Sequence, residues 1–117
     1  MRLVFVRHAE STGNVEGRWQ GHSDYPLSNI GYTQAKRLER RLKVRRFVPT
    51  HVYTSPLCRA AQTAGILVES WSGEVTEWDD LKEFDVGLVS GLTREEAQRK
   101  LPHIDFDIEE SRQLAGV

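Results

Sequence analysis

The sequence predicts an α/β fold, a layered sheet of parallel-type strands flanked by helices. Short apolar runs rich in β-branched and aromatic residues recur at residues 3–6, 51–54 and 74–78. Apolar residues at helical spacing follow each of the first two runs, and Ser, Thr and Pro stand where such helices would begin. Strands that alternate with helices in this way are joined by crossovers, and crossovers make parallel sheets.

Each element has its own warrant. Leu3, Val4, Phe5 and Val6 form a continuous apolar run, the pattern of a strand buried on both faces of a parallel sheet. Polar and glycine-bearing residues follow from Arg7 to about Tyr25 and read as a long loop. Ser28 then offers an N-cap. Ala35, Leu38 and Leu42 keep to one side of the helix it would open, with Lys36, Arg37, Arg40, Arg41 and Lys43 on the other. Pro49 punctuates the chain before the second strand at residues 51–54. Ser55-Pro56 reads as an N-cap followed by proline at the first helical position, leading into Leu57, Ala60, Ala61, Ala64 and Leu67. A third strand is expected at residues 74–78, and loop at 79–91. Thr93-Arg94-Glu95-Glu96 has the form of a capping box opening a last helix.

Composition narrows the function classes. With 117 residues the chain reads as one domain, residues 1–117, with a modest core. Apolar residues make up 38% and charged residues 28%, the balance of a folded soluble protein. No apolar run reaches the ~18 residues of a membrane helix or the ~7–15 of a secretory signal, so the expected location is the cytoplasm, with no membrane partner. A single cysteine, Cys58, leaves no internal disulfide framework. The net charge of −1 hides an asymmetry: residues 1–58 carry 10 Lys/Arg against 4 Asp/Glu, and residues 59–117 carry 6 against 13. A basic first half suits anionic ligands.

Three places could carry chemistry. Arg7-His8 follows the first strand, where an α/β sheet binds its ligands. A histidine there presents one ring nitrogen as nucleophile or base, while a backbone carbonyl holds the other. Arg59 falls in the first turn of the second long helix, where helix amides and a guanidinium together favour an anion. Glu83 lies between Leu81 and Phe84, an apolar surround that would favour its protonated form. Each has an ordinary reading as a surface side chain.

Other chemistries are set aside. There is no nucleotide P-loop. Position 64 is alanine, so Cys58 lacks the C-x5-R spacing of a cysteine phosphatase and reads as a packed helix residue. Asp105-Phe106-Asp107 lacks a preceding buried strand and reads as loop acidity. His8, His22, His51 and His103 never fall at the spacing of a zinc helix, so no metal site is expected. Seven of the eleven residues 36–46 are Lys or Arg. No aromatic interleaves them, and a solvated helix face is the preferred reading over a nucleic-acid surface.

Together these segments resemble the histidine phosphatase superfamily, the phosphoglycerate mutase-like enzymes. Arg7-His8-Ala9-Glu10-Ser11-x-x-Asn14 is similar to its opening signature, and Gly17-Arg18-Trp19-Gln20-Gly21 with Asp24-x-Pro26-Leu27-Ser28-x-x-Gly31-x-x-Gln34-Ala35 to the segment that follows. Thr54-Ser55-Pro56-Leu57-x-Arg59-Ala60-x-Gln62-Thr63-Ala64 is similar to its second motif, and Leu81-x-Glu83-Phe84-Asp85-x-Gly87 to its acidic loop. The resemblance implies a metal-independent phosphatase, without a cofactor, that acts on a small phosphorylated metabolite. His8 would take the phosphoryl group, Arg7 and Arg59 would hold its oxygens, and Glu83 would serve as acid and base. Ser11, Asn14, Gln20 and Gly21 would add phosphate-binding contacts.

Two departures qualify this. Ala9 stands where the family has glycine. The family's second histidine, in a late S-H-G segment, has no counterpart, and the later strands and helices are missing too. Without them the strand at residues 3–6 would present an open edge, so the chain is expected to be a truncated or incompletely represented domain, or one completed by exchange in a homodimer. The acidic loop is closer to the phosphatase branch than to a mutase. A phosphoglycerate mutase-type phosphotransferase and a non-catalytic phosphate-binding module are the alternatives.

Overall fold

The structure, a computed structural model, describes residues 1–71, 74–83 and 85–103. The Asp105-Phe106-Asp107 segment and Phe84 lie outside the described residues. Among the described residues the α-helices and strands run in the order α1 (Thr12–Val15), α2 (Asn29–Val44), β1 (Val52–Thr54), α3 (Cys58–Leu67), β2 (Val75–Glu77) and α4 (Arg94–Lys100), with short 3-10 turns between some of them. β1 and β2 pair in parallel, with Val52 beside Val75 and Thr54 beside Glu77, and α3 is the crossover between them. The Trp78 N–H donates to the Thr54 carbonyl at 2.8 Å and extends the ladder by one bond.

Caps set the helix boundaries. The Ser28 hydroxyl accepts the Gly31 N–H and opens α2, as expected. Thr93 and Glu96 close a reciprocal capping box at the start of α4. Glu96 also receives Arg18 at 2.7 Å. The Thr93 backbone N–H, then Arg18, holds the Glu96 carboxyl below its ordinary value.

Two small cores result. Leu27, Ala35 of α2 and Ile66 of α3 form one, with Ala9 packed against it. Val89 and Ala97 form the other, under Trp19, Val86, Leu92 and Leu101. The outer side of α2 faces solvent, and Lys36 there pairs with Glu69 at 2.5 Å.

Three expectations are corrected. The strand at residues 3–6 is not formed: Leu3 and Phe5 are 66% and 89% exposed, and neither β1 nor β2 pairs with this segment. An apolar run becomes a strand only where a neighbour takes its N–H and C=O groups. The stretch read as loop after Arg7 contains α1, capped by Ser11. α3 begins at Cys58 behind Leu57, which gives no side-chain cap, whereas Ser55 Oγ accepts the Leu57 N–H at 3.2 Å one step earlier. Trp78, at the end of the expected third strand, is 51% exposed and meets the Tyr53 ring edge-on.

Gly31 is where α2 crosses the chain closest. A Cβ there would collide with the Glu10 carbonyl oxygen. The Ser28 N–H also donates to that carbonyl, at 2.9 Å, so the backbone is pinned. Alanine stabilises an open helix site by ~1 kcal/mol, but overpacking against fixed backbone costs about 1–3 kcal/mol or more. Gly31→Ala should therefore lower the melting temperature by several degrees in thermal denaturation followed by circular dichroism. A melting temperature at or above that of the unsubstituted chain would show that the contact relaxes.

Candidate active site

His8 is half-buried, and its Nδ1 lies 2.6 Å from the Ala9 carbonyl oxygen. A carbonyl only accepts, so Nδ1 carries a proton, which in the neutral ring leaves the lone pair on Nε2. The Ala9 N–H donates to Thr63 Oγ1 at 3.0 Å, and the Thr63 hydroxyl donates to the Arg59 carbonyl at 2.7 Å. These bonds fasten the histidine's backbone to the first turns of α3. Arg7 is exposed and makes no hydrogen bond or ion pair among the described residues.

Arg59 is 3% exposed. Its Nη1 donates to the Ser23 carbonyl at 3.0 Å and its Nη2 to the Gly21 carbonyl at 2.8 Å. Burial pulls the guanidinium below its ordinary value, and the nearby carboxylates of Glu83 and Asp24 oppose that shift. Gly21 is buried with φ +50°, a left-handed conformation that glycine adopts without a Cβ clash.

Ser11, Asn14 and Gln20 form a knot beside this loop. The buried Ser11 hydroxyl accepts the Asn14 N–H at 3.0 Å and donates to Gln20 Oε1 at 2.5 Å. The Ser11 N–H donates to Asn14 Oδ1 at 2.9 Å. These side chains spend polar atoms on the turn that opens α1, a use that the sequence reading did not assign them.

Glu83 is exposed, contrary to the expected apolar surround. Its backbone carbonyl accepts the His22 Nε2–H at 2.7 Å. Ser23 Oγ and Ser90 Oγ, 2.5 Å apart, join the same two loops again. A continuous path of contacts therefore runs from His8 through Ala9, Thr63, Arg59 and residues 21–23 to Glu83, and Arg7 stands outside it.

The expected anion site at the start of α3 is filled from within the chain. Asp24 Oδ1 accepts the Cys58 N–H at 2.6 Å, and the Cys58 thiol points at Asp24 Oδ2 from 3.3 Å. This hydrogen bond, with burial and the carboxylate charge behind it, pushes the thiol pKa up. Cys58 is thus a polar partner of Asp24 and not merely packed. Asp24, His22 and Thr63 were missed as site residues, although Asp24 and Thr63 stand inside motifs already quoted. Contacts across 34, 61 and 54 residues leave no local pattern to read.

The sequence matches the family model of the histidine phosphatase superfamily (branch 1) over residues 3–113. The chain belongs to that superfamily. Phosphoserine phosphatase 1 of Hydrogenobacter thermophilus is 42% identical over 106 residues, which cover 91% of this chain and 49% of that protein. The 2,3-bisphosphoglycerate-dependent phosphoglycerate mutase 2 of Lactobacillus johnsonii is 35% identical over 102 residues, 84% of this chain and 44% of that protein. Among solved structures, mycobacterial glucosyl-3-phosphoglycerate phosphatase in complex with VO3 matches with a TM-score of 0.72 at 34% identity, over 81% of this chain and 46% of that one. This histidine phosphatase chain spans about half the length of the curated relatives it matches. Its fold is phosphoglycerate mutase-like, and the two strands and their helices are the part of that architecture described in it. No helix among the described residues is long and apolar enough to cross a membrane.

Proposed function

We propose that this chain is the nucleophile-bearing part of a metal-independent phosphatase that hydrolyses a small phosphorylated metabolite through a phosphohistidine on His8. The observation that carries the reading is the 2.6 Å contact of His8 Nδ1 with the Ala9 carbonyl: with Nδ1–H held there, the neutral ring offers its Nε2 lone pair to phosphorus.

Nε2 attacks in line, the N–P bond forms, and the bond from phosphorus to the leaving oxygen breaks. Glu83 gives that oxygen its proton. Water then attacks the phosphohistidine and gives a proton to Glu83, the N–P bond breaks, and inorganic phosphate leaves. Arg7 and Arg59 offset the charge on the equatorial oxygens. Asn14, Ser11, Gln20 and Gly21 shape the rim beside Arg59. The phosphatase names among the relatives support hydrolysis, and the mutase among them keeps phosphoryl transfer as the second reading.

The test is to mix the chain with an aryl phosphate, quench it in base, and locate any phosphoryl group by peptide mass spectrometry while assaying free phosphate. An acid-labile adduct on His8 with phosphate release is the expected result. An adduct passed to a glycerate hydroxyl without release would move the assignment to a mutase. Phosphate binding without an adduct would leave a binding module.

A further inference from the structure

We infer that Asp24 is a positioning residue for Arg59: its carboxylate clamps the loop at residues 21–24 to the first turn of α3, and so fixes where the guanidinium meets a phosphoryl group. This inference rests on the phosphatase reading above.

The geometry begins with a missing cap. The residue before α3 is Leu57, whose side chain can accept nothing, so the first amides of the helix have no local side-chain partner at that position. Asp24 supplies one from 34 residues away, with Oδ1 on the Cys58 N–H at 2.6 Å and Oδ2 facing the Cys58 thiol at 3.3 Å. A carboxylate at the positive end of a helix is favourable as well as hydrogen-bonded. The next residue along α3 is Arg59, and it reaches back to the same loop through the carbonyls of Gly21 and Ser23. Loop and helix are therefore stitched at three points within four residues of loop and two of helix.

The direction of the stitching matters. The two carbonyl bonds orient the guanidinium only as well as the loop itself is held. His22 and Ser23 tie that loop to Glu83 and Ser90, which lie outside α3. Without Asp24, residues 21–24 would be held to α3 by Arg59, the group whose position is at issue, and the next tie would be the Leu27 N–H on Gln62 Oε1, three residues on. The Asp24 charge also favours the buried guanidinium.

Cys58 gives the clamp a readout of its own. The thiol donates to Asp24, so its alkylation by iodoacetamide reports the contact without reference to phosphate. Orthovanadate, which adopts the five-coordinate geometry of in-line transfer, reports the arginine. In the unsubstituted chain we expect vanadate binding and slow alkylation. Asp24→Ala should alkylate several-fold faster and bind vanadate about 10- to 100-fold more weakly, the scale of a small misplacement. Asp24→Asn keeps an oxygen for the Cys58 N–H but no charge, so it should restore most of the vanadate affinity while still alkylating fast. A merely structural residue would not separate the two.

Alkylation unchanged in both variants would overturn the clamp. Faster alkylation with vanadate affinity intact in Asp24→Ala would overturn the positioning role and leave the phosphatase reading standing. If Asp24→Ala does not fold, Asp24→Asn decides: fast alkylation with near-normal vanadate affinity supports the inference, and unchanged alkylation overturns it. No vanadate binding by the unsubstituted chain would overturn the phosphatase reading and, with it, the role given to Arg59.

Discussion

Replacing His8 with alanine should cut phosphate release by about 10³-fold or more, the scale of losing a covalent nucleophile. The acid-labile adduct should vanish with it. Stability should barely change. The ring is half-buried and its hydrogen bond goes to the carbonyl of the very next residue, whereas the fold is held there by the Ala9 N–H on Thr63, which the substitution leaves in place. Free imidazole should restore part of the rate by occupying the space that the ring vacates. The measurement is phosphate release with and without imidazole, beside a thermal melt. A variant that keeps a tenth or more of the rate would remove His8 from the mechanism, and one that loses rate only because it unfolds would say nothing for a nucleophile.

The elements that proved legible are those whose determinants are local. Ser28 and Thr93 announce helix starts because a capping side chain needs only the amides two or three residues ahead of it. Ala35, Leu38 and Leu42 gave the buried side of α2 because helical spacing is itself a short-range property. β1 and β2 were readable because the crossover that pairs them lies wholly between them.

What was not legible depends on partners distant in sequence. Residues 3–6 have the composition of a central strand, but composition does not say whether a neighbouring strand is present, and among the described residues none pairs with them. Ser55-Pro56 looks like the start of α3, yet the helix begins three residues after Ser55, at Cys58, where the Asp24 carboxylate meets its first amide. For the candidate site the same division holds. His8 and Arg59 stood out by position, and the structure links them through Ala9 and Thr63. Glu83 was placed in an apolar surround on the strength of Leu81 and Phe84. It lies exposed, joined to the rest by His22 and by its attraction to Arg59.

Arg59→Met should separate the two things that a buried guanidinium does. Methionine keeps much of the length and none of the charge. The Gly21 carbonyl loses its Arg59 donor, and the Ser23 carbonyl loses one of two, keeping the Tyr25 N–H at 3.3 Å. A buried acceptor left unpaired costs about 1–3 kcal/mol. Ser23 is only half-buried, and its carbonyl can turn to water, so Gly21 bears most of that loss. Against it stands the relief of no longer holding a cation out of solvent, which mutational replacement of buried charges by apolar groups commonly returns. The net change in stability should therefore stay within about 2 kcal/mol. The catalytic loss has no such offset. A guanidinium has five N–H donors, and the carbonyls account for one on each Nη, which leaves the rest of the fork for phosphoryl oxygens. Removing one such donor lowers rate by about 10²–10³-fold, or roughly 3–4 kcal/mol at 1.36 kcal/mol per decade. Rate and vanadate affinity should thus fall by more than the melting curve explains. The reverse pattern, a large drop in melting temperature with vanadate affinity preserved, would make Arg59 a strut between α3 and its loop and would leave the exposed Arg7 as the anion's only arginine.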